Sequence, residues 1–139
     1  MADPIQPSNI AVAVATSGLK AEQSRMRIIA ENLANADSTA QTPGGEPYRR
    51  QIPVFAPKTV AGAKGVAMTH IAADTTQFGS EYAPGHPAAD SSGYVKLPNV
   101  NPMLEAIDMR NAQRAYQANL SVIETAREMD NATLSIIKK

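Results

Sequence analysis

The two histidines, His70 and His86, are the residues of this chain best suited to acid–base catalysis or metal binding. Either role requires an imidazole beside carboxylates or a nucleophile. Neither histidine has such a partner at a spacing that forces the contact, and the chain contains no cysteine. We therefore interpret both as solvated or hydrogen-bonded histidines. The alternative is a small binding module or enzyme that uses His86 and Asp90 in a β-rich pocket around residues 82–94.

Other sequence patterns associated with chemistry are few. The chain has neither a Gly-x-Gly-x-x-Gly motif nor a phosphate loop, so nothing indicates nucleotide binding. Residues 89–93, Ala-Asp-Ser-Ser-Gly, predict a turn closed by side-chain hydrogen bonds to the backbone. Residues 48–51, Tyr-Arg-Arg-Gln, form a basic patch. Two arginines on a strand edge more often discourage strand-to-strand aggregation or meet carboxylates of a partner than bind nucleic acid. We expect no catalytic, cofactor-binding or metal-binding residues.

The chain carries 13 basic and 13 acidic side chains, and each part of it is balanced as well. Residues 1–36 contain three of each sign, and residues 37–100 and 101–139 contain five of each. A nucleic-acid partner would require a basic excess, so we expect none. Aromatic residues make up only 4% of the chain. Aliphatic side chains must therefore build a thin or distributed core.

Glycine and proline divide the chain into three segments. Seven of the eight glycines and seven of the ten prolines lie in residues 37–100, which confines long helices to the ends. We predict an N-terminal helix in residues 1–36, a β-strand and loop segment in residues 37–100, and a long C-terminal helix in residues 101–139. The fold class is mainly α with a small β-rich insert. The terminal helices are expected to pack as a coiled-coil-like pair or bundle in a helical assembly.

The N-terminal helix is predicted to run from about Ser8 to Ala34. Its large apolar residues recur at a spacing of seven, at Ile5, Val12, Leu19, Met26 and Leu33. A second set of positions lies between these at the same spacing and comprises Ser8, Ala15, Glu22, Ile29 and Ala36. Glu22 interrupts it with a polar side chain. Burying one large apolar side chain contributes about 1.5–3 kcal/mol to stability. The large apolar residues at a spacing of seven, the seam of the helix, therefore require a packing partner. No apolar run approaches the roughly 18 residues needed to cross a bilayer.

The C-terminal helix is predicted to begin with Asn101 as N-cap and Pro102 as its first residue. No glycine or proline follows, so the helix can continue to about Ile137. One apolar stripe comprises Leu104, Ile107, Ala115, Ala118, Val122, Ala126, Met129 and Ile136. A second comprises Tyr116, Leu120, Ile123, Leu134 and Ile137. Two stripes imply two partners, one of which is another chain. The alternative is a two-helix hairpin with the middle segment folded over it.

Two pairs of like charges lie on the same predicted helix. Arg110 and Arg114 precede Glu124 and Glu128 by fourteen residues, which places all four near one face. Neighbouring copies staggered by roughly 21 Å would bring the basic pair of one opposite the acidic pair of the next. A solvated face is the alternative.

The middle segment is predicted to contain strands and turns. Residues 48–55 form one strand candidate, in which Pro53 indicates an edge position. Residues 66–71 form another, and residues 42–47 and 83–87 are predicted turns. Five of the six aromatic residues lie in this segment and predict a small core of its own.

Several stretches resemble the bacterial flagellar rod and hook protein family. Residues 29–37, Ile-Ala-Glu-Asn-Leu-Ala-Asn-Ala-Asp, are similar to the signature that ends its N-terminal helix. Residues 84–90, 93–100 and 114–119 narrow the resemblance to the short proximal rod proteins. Their sequences are Pro-Gly-His-Pro-Ala-Ala-Asp, Gly-Tyr-Val-Lys-Leu-Pro-Asn-Val and Arg-Ala-Tyr-Gln-Ala-Asn. Another short rod protein remains an alternative.

The resemblance implies a non-enzymatic subunit of the flagellar rod, the shaft that transmits motor torque to hook and filament. It also implies export through the flagellar type III apparatus into a periplasm-spanning basal body. The implied partners are other copies, other rod proteins, and the basal-body ring and export apparatus. We expect no small-molecule substrate and no cofactor.

The expected subunit interface uses both helices. On the N-terminal helix it comprises Val12, Leu19, Met26, Ile29, Asn32, Leu33 and Asn35. On the C-terminal helix it comprises Arg110, Arg114, Tyr116, Asn119, Leu120, Ile123, Glu124, Glu128, Leu134 and Ile137. Asn99 and Asn101 are expected to fix the entry of the middle segment into the second helix.

Overall fold

The structure, a computed structural model, describes residues 7–137 and the side chains of residues 8–137. Its elements are α1 (Pro7–Ala34), β1 (Gln51–Val60), β2 (Ala63–Ala73), β3 (Gly79–Tyr82), β4 (Tyr94–Leu97) and α2 (Pro102–Ile137). Two long helices therefore flank a small β-rich insert, as predicted. The seam position Ile5 lies outside the described residues. Coiled-coil-like packing stays a prediction.

Local capping explains where the long helices begin and end. Pro7 starts α1, where its missing N–H leaves no intrahelical bond unmade. At the start of α2, the Asn101 side-chain oxygen accepts hydrogen bonds from the backbone N–H groups of Met103 (3.0 Å) and Leu104 (3.3 Å). The predicted N-cap is confirmed. Helix α2 continues for 36 residues without an interruption.

The insert consists of two separate two-stranded sheets. A two-residue turn joins β1 to β2, with positive φ at Ala61 (50°) and Gly62 (81°), as a type I′ hairpin requires. Both strands are edges of their sheet, which is why Pro53 is tolerated within β1. In the second sheet β3 and β4 are antiparallel, with Tyr82 opposite Tyr94. The strand predicted at residues 66–71 lies within β2.

The chain forms two compact units. Unit 1 comprises Met1–Met26, Val54–His70 and Asn111–Lys139, and unit 2 comprises Arg27–Pro53 and Ile71–Arg110. Each unit thus takes residues from both helices and from the β1–β2 hairpin. No helix within residues 7–137 is long and apolar enough to span a membrane.

The hydrophobic core is thin, as the composition predicts. In unit 1 its buried members are Ala15, Ala21, Ala112, Ile123 and Ala126. In unit 2 they are Ile28, Ile29, Ala88 and Val95. The small core predicted for the middle segment is not built from its aromatic residues, since its buried members are Ala88 and Val95. No aromatic side chain among residues 8–137 is fully buried, and the Tyr82 and Tyr94 rings pack edge to face, 5.2 Å apart, on an exposed sheet face.

Candidate interaction surface and buried polar cluster

Asn32 is the centre of a buried polar cluster in unit 2, with only 1% of its surface exposed. Its Nδ2 donates to the Gln51 carbonyl (2.9 Å) and to Glu105 Oε2 (3.2 Å). Its Oδ1 accepts from the Gln51 N–H (2.9 Å) and from the Tyr48 hydroxyl (2.9 Å). An asparagine amide offers two donors and two acceptor sites, and all four are used within the chain. The amide thereby fastens the end of α1 to the start of β1.

Glu105 supplies the negative charge of this cluster and is 0% exposed. Arg50 Nε donates to Glu105 Oε1 at 2.5 Å, and the Arg50 guanidinium also reaches Asp74 (3.3 Å) and Asp108 (3.9 Å). Burial opposes the charged guanidinium, but the hydrogen bonds and charges of Glu105 and Asp74 outweigh it and raise the pKa of Arg50. A buried carboxylate is stable only when it is paired and hydrogen-bonded, as here.

Asp74 and Asn99 continue the cluster. The Thr76 hydroxyl and N–H both donate to Asp74 Oδ1, and these bonds together with Arg50 lower the pKa of Asp74 despite its partial burial. Asn99 Oδ1 accepts from the Arg50 N–H (2.8 Å), and its Nδ2 donates to the carbonyls of Asp74 and Thr76. Asn99 therefore joins the residues before α2 to the residue before β1 and to the residues that follow β2.

The Tyr48 hydroxyl is the remaining ionisable group at this site. Burial raises the pKa of Tyr48, and the negative charges of Glu31 and Glu105 raise it further. The phenol is thus kept as a neutral donor to Asn32. Within residues 7–137 no group of three or more His, Asp or Glu side chains could hold a metal ion. The polar groups hold four chain segments together, namely the end of α1, residues 48–51, residues 74–76 and residues 99–108.

The basic patch at residues 48–51 is used inside the chain. Arg49 lies over the Phe78 ring, with 4.2 Å from its guanidinium carbon to the ring centroid. It donates to the carbonyl of Asp74 and lies 3.8 Å from Glu46. The expectation that both arginines meet a partner's carboxylates is therefore corrected, since Arg50 binds carboxylates of its own chain.

The histidines and Asp90 make local contacts. Asp90 Oδ1 accepts from the N–H groups of Ser92 (2.8 Å) and Tyr94 (3.0 Å), which confirms the predicted turn. His86 Nδ1 accepts from the Ala88 N–H (3.0 Å), and His70 contacts the Thr69 hydroxyl at 3.1 Å. Because Asp90 and His86 each bond to their own turns, the structure does not favour a site built from them.

Helix α2 packs through a face that lies between the two predicted stripes. The buried or half-buried positions recur at a spacing of seven, at Glu105, Ala112, Asn119 and Ala126. Most large apolar residues lie outside this face. Those exposed by 40% or more are Met103, Leu104, Ile107, Leu120, Val122, Met129, Leu134, Ile136 and Ile137.

The predicted interface residues differ in exposure. Asn32, Ile29 and Ile123 are buried within the chain, which removes them from its free surface. Those that are partly exposed are Val12, Leu19, Met26, Leu33, Asn35, Tyr116 and Asn119. Those that are exposed are Arg110, Arg114, Leu120, Glu124, Glu128, Leu134 and Ile137.

In unit 1 an open groove of about 530 Å³ lies between α1 and α2. Ser8 and Ala11 line one side, and the other side includes Val122 and Met129. The two helices approach closely farther along. A Cβ atom added to Gly18 would lie 2.8 Å from the Asn119 amide, so glycine permits this contact.

Comparison with known proteins places the chain in a family. Residues 13–40 match the family described as Flagella basal body rod protein, and residues 91–136 match Flagellar basal body rod FlgEFG protein C-terminal. Flagellar basal-body rod protein FlgC of Agrobacterium fabrum is 43% identical over 136 residues, which cover 96% of this chain and 98% of that protein. The chain belongs to the FlgC family. FlgC of Borreliella burgdorferi is 38% identical (90% and 94% covered), and FlgC of Salmonella typhimurium is 39% identical (88% and 92% covered).

Two asparagines at the end of α1, in the stretch that resembles the rod and hook family signature, have clear structural roles in this chain. Asn32 holds the buried cluster, while Asn35 Nδ2 donates to the Glu31 carbonyl at 2.9 Å. Sequence reasoning missed the roles of Glu105, Asp74 and Gln51. The available signal for Glu105 is a carboxylate in the first turn after the Asn101 cap, a position that by itself indicates only a favourable interaction with the helix dipole.

Proposed function

We propose that this chain is a structural, non-enzymatic subunit of the proximal rod of the bacterial flagellar basal body. The observation that carries this function is the 43% identity, over 96% of the chain, to a protein named flagellar basal-body rod protein FlgC. The subunit would assemble with copies of itself and with other rod proteins. Its place in the periplasm-spanning shaft, its torque-bearing role, contact with the basal-body rings and type III export belong to the same proposal.

The exposed apolar residues of α2 support an assembling protein. In unit 1 Val122 (45% exposed), Met129 (63%) and Ile136 (75%) recur at a spacing of seven and so share one side of the helix. Large contiguous apolar patches on a soluble chain usually mark an interaction surface. We propose that residues 1–36 and 101–139 form the rod core by coiled-coil-like packing between copies. Residues 37–100 form the middle segment.

The like-charge pairs of α2 supply a register for this packing. Arg110, Arg114, Glu124 and Glu128 are all exposed. No ion pair found among the described side chains involves any of these four. A stagger of roughly 21 Å between parallel copies would pair them across the interface.

A complementation experiment tests the function. In a strain that lacks its own FlgC, expression of this chain should restore hook-bearing basal bodies, seen by electron microscopy, and swimming. Met129→Asp should reduce both, because it places a charge in an apolar contact. Asn131→Asp, which adds the same charge at an exposed polar position of the same helix, is the matched control. Hooks assembled normally in the deletion strain without the chain would contradict a rod function.

A further inference from the structure

The two compact units carry opposite net charge, although residues 1–36, 37–100 and 101–139 each contain equal numbers of basic and acidic side chains. Among residues 7–137, unit 1 contains six basic and four acidic side chains, whereas unit 2 contains five basic and eight acidic ones. Each unit combines residues from all three balanced parts of the sequence, 1–36, 37–100 and 101–139. Balanced charge within each part therefore does not give balanced charge within each unit. Unit 1 therefore has a net positive charge, and unit 2 has a net negative charge.

This imbalance lies on the exposed surface of each unit. Unit 1 exposes five basic residues, Lys20, Lys58, Lys64, Arg114 and Arg127, against two acidic ones, Glu124 and Glu128. Unit 2 exposes five acidic residues, Glu31, Asp37, Glu46, Glu81 and Asp90, against three basic ones, Arg27, Lys96 and Arg110. Arg27 and Glu31 lie 2.6 Å apart and neutralise each other, which leaves the acidic excess of two exposed residues unchanged.

Part of the basic surface surrounds a groove in unit 1. The groove has a volume of about 510 Å³ and lies between α1 and the β1–β2 hairpin. Lys20 and Lys58 line it, together with the Ser24 hydroxyl and with Thr16, whose own hydroxyl donates to the Val12 carbonyl (2.7 Å). Met68 contributes an apolar wall. Ammonium and hydroxyl donors beside an apolar wall suit a carboxylate side chain, because charge-assisted hydrogen bonds are the strong ones.

We propose that unit 1 of one copy docks against unit 2 of a second copy, with the groove receiving exposed carboxylates of that copy. This inference names a contact for the proposed rod subunit and rests on that function. A contact between different surfaces of identical chains is heterologous and can continue from copy to copy. Because the whole chain has zero net charge, copies do not repel each other at long range, while the contacting surfaces are complementary.

Sedimentation of the purified full chain at several salt concentrations provides the first test. Raising NaCl from about 50 mM to about 500 mM shortens the screening length from about 14 Å to about 4 Å, and self-association should weaken about tenfold. Lys20→Glu with Lys58→Glu should produce a similar loss at low salt. The matched control is Lys96→Glu, an exposed strand lysine of unit 2, which should leave self-association unchanged or stronger.

A charge-swap mixture provides the second test. Glu46→Lys with Glu81→Lys makes unit 2 less acidic and should also weaken self-association. Mixing this variant with the Lys20→Glu, Lys58→Glu variant should restore association in the mixture, because each unit then faces an opposite charge. Circular dichroism of every variant establishes that it is folded.

Three results would overturn the proposal. They are self-association that does not respond to salt, a Lys20→Glu, Lys58→Glu variant that associates like the original chain, and no self-association at any salt concentration. The function is scored separately by basal-body complementation with the unaltered chain. Restored hooks together with salt-insensitive association would reject the docking contact and retain the rod subunit.

Discussion

At the residue scale, Asn32 has the most consequential side chain of unit 2. Its amide pairs with both backbone groups of Gln51, so one side chain takes the place of a neighbouring strand at the start of β1. The same amide donates to Glu105 and accepts from Tyr48. Loss of the amide would leave these groups without their partner in a low-dielectric interior, where an unpaired polar group is costly.

Asn32→Ala should therefore lower the free energy of unfolding by about 3 kcal/mol or more, since each buried group left unpaired costs about 1–3 kcal/mol. Urea unfolding followed by circular dichroism measures this. Asn35→Ala is the matched control, because its amide makes a hydrogen bond only to the Glu31 carbonyl one turn away, and it should cost less than about 1 kcal/mol. Equal losses for the two variants would contradict the role assigned to Asn32.

At the element scale, α2 has three faces with different chemistry. The packed face carries small or polar residues at a spacing of seven, which allows neighbouring backbone to approach. The exposed apolar residues lie on both flanks of this face, and the side opposite it carries the arginine and glutamate pairs. In unit 1 the close approach depends on Gly18, where α1 meets the Asn119 side chain. A glycine inside a 28-residue helix otherwise costs about 1 kcal/mol relative to alanine.

Gly18→Ala should have opposite effects in two backgrounds. In the unaltered chain the new Cβ would lie 2.8 Å from the Asn119 amide and displace it from the Ala115 carbonyl. We expect a net loss of about 1 kcal/mol, because the clash exceeds the gain in helix propensity. With Asn119→Ala already present, Gly18→Ala should instead stabilise by about 1 kcal/mol. A double-mutant cycle by urea unfolding checks this, and the same sign in both backgrounds would refute the contact.

At the scale of the whole molecule, the sequence predicts features that depend on neighbouring residues, such as helix caps. It does not predict contacts between residues that are far apart in the chain. The bounds of α2 follow from Asn101 and Pro102, whose effects extend over one helical turn. Glu105 is different, because its partners Arg50 and Asn32 lie 55 and 73 residues away along the chain. No periodic pattern in the sequence indicates a contact between residues so far apart in the chain. The aromatic residues of the middle segment mislead for the same reason, since their burial depends on which elements cover them.

The register proposed for assembled copies is also a whole-molecule property. Glu124→Lys with Glu128→Lys should impair rod assembly in the complementation strain, because basic pairs would then face each other across the stagger. Adding Arg110→Glu and Arg114→Glu should restore assembly, counted as hook-bearing basal bodies. The chain with the arginine changes alone is the matched control and should also be impaired. Failure of the fourfold variant, when it is folded, would reject this pairing.

The interleaved composition of the units has a kinetic consequence. Unit 1 needs residues 1–26 together with residues from Asn111 onward, and unit 2 needs residues up to Arg110. Contacts that join such distant parts of a chain require closure of long loops, which slows folding. Unit 2 can form once residues up to Arg110 have left the ribosome, whereas unit 1 must wait for most of α2. Unit 1 therefore passes through a longer unfolded stage during synthesis, in which it is open to capture by a chaperone before it folds.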